Sequence, residues 1–368
     1  MNNSNHLLIV ILFLSLSFTQ FLSGQNKLEQ IATEVEAAMQ AENIPAVSVA
    51  ILYQDSIHYI NRGYLDRTQK EAVTPTSIYQ IASLGKIFVG IITHHLLLEE
   101  KIQLEQKITD FLPANFPKKR QQKLEQITIE HLLHHRSGLP QDVKVVYKRK
   151  DGDAFEYNYT EENLLTELRK LILKTPGKYQ YSNFGYALLA YILEKASNKT
   201  YEELLRQYIT EPYQLQNTAI TLNDAQKRKL VTPYRKDKRN IATSPWQMGK
   251  LAPPSAIYST VEDLSKLMKA QLIAYQNYKQ QQQISPLVLT TNTIQKYEKY
   301  TVRYGYGFND WNGDTFGHTG DMDGYAGDYS ITLGQNTGMV ILTSSGEDWI
   351  RPLIQKIHKI LSTVEDMD

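Results

Sequence analysis

Residues 79–90 read YQIASLGKIFVG. Ser83 and Lys86 stand three apart, where a turn gives way to an apolar helix running to about Glu100. At that spacing the two side chains share one helix face, one above the other. A serine hydroxyl is a poor nucleophile until a base takes its proton. A lysine whose pKa is lowered by burial or by a neighbouring cation can be that base. The start of the helix adds a backbone N–H able to hold an oxyanion. Composition alone places a Ser-x-x-Lys roughly once in a chain of this length, so the pair needs support from elsewhere.

Outward from this stretch the chain changes character twice. Ahead of it, LEQIATEVEAAMQ predicts a helix from about Leu28 to Gln40. AVSVAILY and SIHYINRGYL follow as strands, with Gln54-Asp55 as the hairpin turn. Behind it lies a long helical middle: TIEHLLHH, ENLLTELRKLIL, GYALLAYILEKAS, YEELLRQYI and YSTVEDLSKLMKAQLIAY. The last opens with an expected capping box of Ser259 and Glu262. KQQQQIS, ending at Ser285, is expected to be a flexible loop. Strands return in RYGYGFNDW, GDYSITLG and GMVILTSS, and a final helix spans about Asp348 to Leu361. Strands at both ends and helices between predict an α/β (α+β) fold. One antiparallel sheet, from about 28–80 and 300–362, is flanked by the first and last helices, with a helical lobe from about 87–299 packed beside it.

Composition limits the function classes. Of 368 residues, 42% are hydrophobic and 21% charged, enough apolar material for a sizeable core. Lys plus Arg total 40 against 39 Asp plus Glu, which lacks the basic footprint of a nucleic-acid binder. There are no cysteines, so disulfides and thiolate catalysis are excluded. Residues 1–24 carry an apolar run from Leu7 and small residues at Ser23 and Gly24, the pattern of a secretory signal peptide cut near Gly24. No Lys or Arg precedes the run, so an uncleaved membrane anchor is the alternative. The expected location is periplasmic or extracellular, with membrane contact only if that segment is retained.

Two further segments support the first. TPGKYQYSNFGYALLAYIL places Tyr181-Ser182-Asn183 just before an apolar helix. A tyrosine near a lysine can share its proton, and an asparagine amide can orient substrate. FGHTGDMDGYAGDY places His318-Thr319-Gly320 on an expected edge strand, where Gly320 lets substrate approach the backbone. The N–H of Asp321 would complete an oxyanion hole. His131, His134 and His135 in EHLLHH offer at most half a zinc site, with no third ligand in evidence, so no metal or cofactor is expected. His94 and His95 lie mid-helix, and Tyr304, Tyr306 and Tyr325 read as core or surface by default.

Together, Ser83-x-x-Lys86, Tyr181-Ser182-Asn183 and His318-Thr319-Gly320 resemble the motif set of the serine β-lactamase and penicillin-binding protein superfamily, in its class C-type branch. That branch includes D,D-carboxypeptidases, D-aminopeptidases and family-VIII esterases besides β-lactamases. ITIEHLLHHRSGLP, PPSAIYSTVEDLSKLM and YGYGF are similar to the family's intervening segments, so the likeness runs over roughly residues 28–345. The resemblance implies a sheet sandwiched by helices beside an all-helical lobe, making residues 25–368 one β-lactamase-related domain. It implies Ser83 as the acylated nucleophile, Lys86 and Tyr181 exchanging its proton, and Asn183 orienting the acyl side chain. The N–H groups of Ser83 and Asp321 would hold the oxyanion, with Thr319 and Gly320 in the substrate-binding strand and His318 facing a leaving group or carboxylate. Many relatives carry a small residue at the place of Asp321, and an acid there would repel anionic substrates if it faced the site.

The implied activity is a serine hydrolase working on an ester, a D-amino-acid peptide or a β-lactam, with a peptidoglycan-derived fragment among the candidate partners. Histidine in place of the lysine of a related branch favours esterase or D-peptidase over lactamase. If His318 titrates near its usual pKa of about 6.5, activity on anionic lactams should gain as pH falls. The alternative function is a penicillin-binding sensor or scaffold that keeps the fold without turnover.

Overall fold

A computed structural model of the chain describes residues 25–144, 155–235, 237–238, 240–288, 303–310, 314–346 and 349–363. The expected signal segment lies outside these residues, as does Trp311 of the RYGYGFNDW stretch.

A helix over 25–41 (α1) leads into β1 (Ala46–Tyr53) and β2 (Ser56–Gly63). Gln54 and Asp55 join them with φ of 50° and 59°, the left-handed pair that a two-residue hairpin turn needs. The later strands are β5 (Arg303–Gly305), β6 (Phe308–Asp310), β7 (Thr315–Met322), β8 (Tyr325–Thr332) and β9 (Thr337–Thr343). They complete a seven-stranded sheet in the order β2-β1-β9-β8-β7-β6-β5, antiparallel throughout. The first and last strand groups meet at the β1–β9 pairing, where Val47 lies opposite Thr343. Two short strands, β3 (Tyr79–Gln80) and β4 (Tyr258–Ser259), pair outside it and bring the Ser83 segment beside residues 254–259.

Alternation in the strands decides what covers each face. Val47, Val49, Ile51, Met339 and Ile341 form one core with Ile31 and Val35 of α1 and Leu353 and Ile357 of the last helix, α10 (Ile350–Ser362). Ala46, Ala50, Leu52, Val340 and Leu342 point the other way into the larger core. That core holds α2 (Gly85–Leu98) and α9 (Val261–Gln281), and Met268 of α9 presses on β9 at Gly338. The sheet thus draws one covering helix from within the stretch between its two halves. The rest of that stretch supplies α3 (Lys118–Leu124), α4 (Ile129–Leu133), α5 (Glu161–Lys170), α6 (Asn183–Ser197), α7 (Tyr201–Leu205) and α8 (Asp224–Lys227), with α6 packed on α2 and α4. No helix among the described residues is long and apolar enough to cross a membrane.

Three local expectations change. The cap of α9 is Thr260, whose hydroxyl accepts from the Asp263 N–H at 3.0 Å; Ser259 belongs to β4. RYGYGFND is not one strand but the β5–β6 hairpin, because Tyr306 and Gly307 take φ of 47° and 86° and turn the chain. The glutamine tract is helical through Gln281 and stops where Gln282 enters the left-handed region at φ 55°.

Candidate active site

The nucleophile candidate sits at a backbone irregularity. Ala82 has φ 48°, an uncommon conformation for a residue with a side chain, and opens a 3-10 turn over Ala82–Leu84 that runs into α2. Ser83 is therefore lifted out of regular helix, part-exposed at the mouth of the core. Lys86, one turn on, is fully buried. β7 passes directly beside this turn. A Cβ on Gly320 would lie 2.7 Å from Ile81 O and 3.1 Å from Ser83 N, so only glycine lets the strand approach the Ser83 amide.

The three motifs converge here. Lys86 Nζ donates to Ser83 Oγ at 3.0 Å and to Pro254 O at 3.0 Å. Tyr181 OH donates to Ser83 Oγ at 2.8 Å. The ammonium also lies 4.9 Å from the centre of the Tyr181 ring and 5.9 Å from that of Tyr186. Burial strips water from Lys86 and drops its pKa to about 7, against a partial upward pull from Asp142. Tyr181 is half-buried, and burial pushes its phenol well above its usual value. Lys86 and Tyr181 thus meet at Ser83 Oγ, and of the two only the lysine is poised to lose its proton near neutrality.

His318 is also at this site, 6.2 Å from Tyr181 ring to ring. Its Nδ1 lies 2.5 Å from Thr319 O, so Nδ1 carries the hydrogen and Nε2 is left as a buried acceptor without a partner. Burial and the nearby Lys86 depress its pKa to about 3. The expectation that His318 gains charge between pH 5.5 and 8 is therefore corrected: this imidazole is neutral throughout that range. Asn183 donates its amide to Asp142 at 2.9 Å, while its Oδ1 is buried without a partner.

Two side chains of β7 turn away from Ser83. The Thr319 side chain lines a cleft on the α10 side of the sheet, so what Thr319 can offer substrate at Ser83 is its β7 backbone. Asp321 points toward Gly346 and is exposed, its Oδ1 only 2.7 Å from where a Gly346 Cβ would lie. Its carboxylate does not face the site, and only its backbone is positioned there by β7.

The residues 135–142 were not assigned to the site by their sequence, yet they hold Tyr181 in place. His135 O accepts from Gln180 N at 2.7 Å, and His135 Nδ1 accepts from Ser182 N at 3.0 Å, clamping the peptide on both sides of Tyr181. Ser182 Oγ donates to Pro140 O, and Asn183 N to Gln141 O. His135 is fully buried at φ 53°, its ring centre 4.4 Å from Tyr181 and 4.5 Å from Tyr304. His131 instead completes a capping box with Thr128. The signal that could have found His135 was its place just past the helix 129–133, ahead of Gly138-Leu139-Pro140, where the chain leaves the helix. Among the described residues no group of three or more His, Cys, Asp or Glu is placed to hold a metal ion. Tyr304, Tyr306 and Tyr325 are all buried in the core, Tyr304 as part of the site's inner wall.

Comparison with known proteins gives three kinds of match. The β-lactamase family profile matches residues 31–353. Protein flp of Staphylococcus aureus strain MW2 is 26% identical over 351 residues, 91% of this chain and 68% of that protein. Penicillin-binding protein 4* of Bacillus subtilis is 31% identical over 201 residues, 53% of this chain and 42% of that one. Among solved structures, the octameric penicillin-binding protein homologue from Pyrococcus abyssi superposes with a TM-score of 0.73 at 23% identity, covering 86% of this chain and 73% of that one.

Proposed function

Because the chain belongs to the β-lactamase family, we propose that it is an exported serine hydrolase that forms an acyl-enzyme on Ser83, acting on an ester or a D-amino-acid peptide in preference to a β-lactam. The observation that carries this reading is the double hydrogen bond to Ser83 Oγ from Lys86 Nζ and Tyr181 OH. Neutral Lys86 takes the hydroxyl proton as Oγ attacks the substrate carbonyl. The N–H groups of Ser83 and Asp321 hold the oxyanion. As the tetrahedral adduct collapses, Tyr181 gives its proton to the leaving group and recovers one from the Lys86 ammonium. Water then enters the leaving-group position, and the same proton path runs in reverse to release the acid.

Substrate preference follows from His318. A neutral imidazole offers an acceptor lone pair where a lysine would offer fixed positive charge, so a substrate carboxylate gains little there. Export rests on the apolar run after Leu7. The test uses purified protein lacking residues 1–24, given a neutral nitrophenyl ester, a D-amino-acid dipeptide and a chromogenic penicillin. Turnover of ester or dipeptide at least about ten-fold faster than penicillin supports the reading. Efficient penicillin hydrolysis overturns the preference, and a stable penicillin adduct without turnover of anything identifies a sensor instead.

A further inference from the structure

The α10-facing side of the sheet is not uniform. Across β1 and β9 it presents Val47, Val49, Ile51, Met339 and Ile341. Across β7 and β8 the same face presents Thr319, Asp328 and Thr332, with Ser330 bonded between Asp328 and α10. Apolar residues would be cheaper there, since burying a carboxylate without a counter-charge is strongly unfavourable. Between these strands and α10 lies a cleft of about 610 Å³, within the range of small-ligand sites.

Asp328 is fully buried at its floor. Ser330 Oγ donates to Asp328 Oδ2 at 3.0 Å and sits 3.1 Å from His358 Nε2. With Asp328 ionised, the single Ser330 hydroxyl hydrogen goes to Asp328, so His358 donates to Ser330. The relay delivers one hydrogen-bond donor, to Oδ2, and leaves Oδ1 with no partner. No ion pair among the described residues reaches Asp328, and burial raises its pKa to about 7. Above this floor, Arg351, Gln355 and Lys359 recur one turn apart along the exposed edge of α10 and line the cleft, their two cations outnumbering the one acid there, Asp314, whose Oδ1 accepts from Gly334 N at 2.7 Å. The site therefore pairs an inner acceptor short of a cation with a basic rim.

We propose that this cleft, on the sheet face turned away from Ser83, binds an amino-acid-like zwitterion, its ammonium inward against Asp328 and its carboxylate outward toward Lys359. A simple amine would satisfy the floor but meet the basic rim; an anion alone would satisfy the rim but meet Asp328. A zwitterion answers both. Thr319, which lines the cleft, stands between His318 and Gly320, so the two sites share one strand.

The probe is alanine, titrated into the otherwise complete chain carrying Ser83→Ala and followed by ligand-observed NMR and calorimetry, so the outcome does not depend on any activity of Ser83. Saturable binding is expected. N-acetylalanine, which lacks the ammonium, and alaninamide, which lacks the carboxylate, should each bind at least about ten-fold more weakly. Asp328→Asn keeps the shape of the floor and should lose at least about ten-fold in affinity, and Lys359→Gln, an exposed change, at least about three-fold. No saturable alanine binding, binding of N-acetylalanine equal to alanine, or binding unchanged in both variants would overturn the proposal.

Discussion

At the scale of single residues, the proposed role of Lys86 as the base makes a forecast about pH. With its pKa near 7, the neutral, proton-accepting form grows as pH rises through that value. kcat/KM for a neutral ester should climb along an acid limb centred near pH 7, and a profile flat from pH 5 to 9 would remove Lys86 as the base. The same burial makes Lys86 a liability for stability. Its folded pKa lies below the unfolded value of about 10.4, so the unfolded chain binds more protons between the two and stability rises with pH across that window. Lys86→Met should abolish turnover yet raise stability at pH 6 by on the order of 1 kcal/mol, read from denaturant midpoints. His318 makes the opposite forecast. Being neutral, it should leave the ratio of lactam to ester activity independent of pH from 5.5 to 8, and a ratio that rises as pH falls would show that it titrates after all. The identities of Ser83, Lys86, Tyr181, Asn183 and His318 were legible because their spacing is a motif. The protonation states were not, since a string of letters carries no measure of how deeply each group is enclosed.

At the scale of elements, the site depends on how closely β7 and the β5–β6 turn press on α2. A Cβ at Gly90 would fall 1.9 Å from Tyr306 O, and one at Gly307 2.2 Å from Lys86 O. The hairpin turn thus clamps the helix over the turn that carries Ser83 and Lys86. Gly320→Ala would set a methyl against the buried Ile81–Ala82 backbone, 2.7 Å from Ile81 O, so the turn must shift, and acylation should slow by about 10²-fold as the Ser83 amide is pushed aside. Pre-steady-state kinetics would check this, and an unchanged acylation rate would mean that strand contact does not set the geometry. His135→Ala removes the acceptor for the Ser182 N–H, and Tyr181 should lose its fixed position, lowering kcat more than KM rises. The hairpin over Tyr306-Gly307 and the cap at Thr260 were misread from sequence for separate reasons. Tyr306 adopts positive φ despite its side chain, and the choice between Ser259 and Thr260 is made by β3–β4 pairing, a long-range contact.

At the scale of the whole molecule, a site built from residues 83, 181 and 318 requires that the chain close on itself. The β1–β9 pairing does this by joining segments nearly the whole chain apart, and sheet alternation then places helices on both faces. That architecture was legible, because strands at both ends with helices between leave few ways to bury every apolar face. The cleft behind β8 was not. GDYSITLG reads as an ordinary strand, and nothing in it shows that Asp328 and Ser330 lie under His358 from the last helix. The most direct test of the account is intact-protein mass spectrometry after brief exposure to an activated acyl ester, followed by peptide mapping. The account predicts one acyl adduct, on Ser83, forming faster as pH passes upward through about 7 and absent from Ser83→Ala. Ester hydrolysis with no adduct on Ser83, or an adduct mapped to another residue, would contradict it.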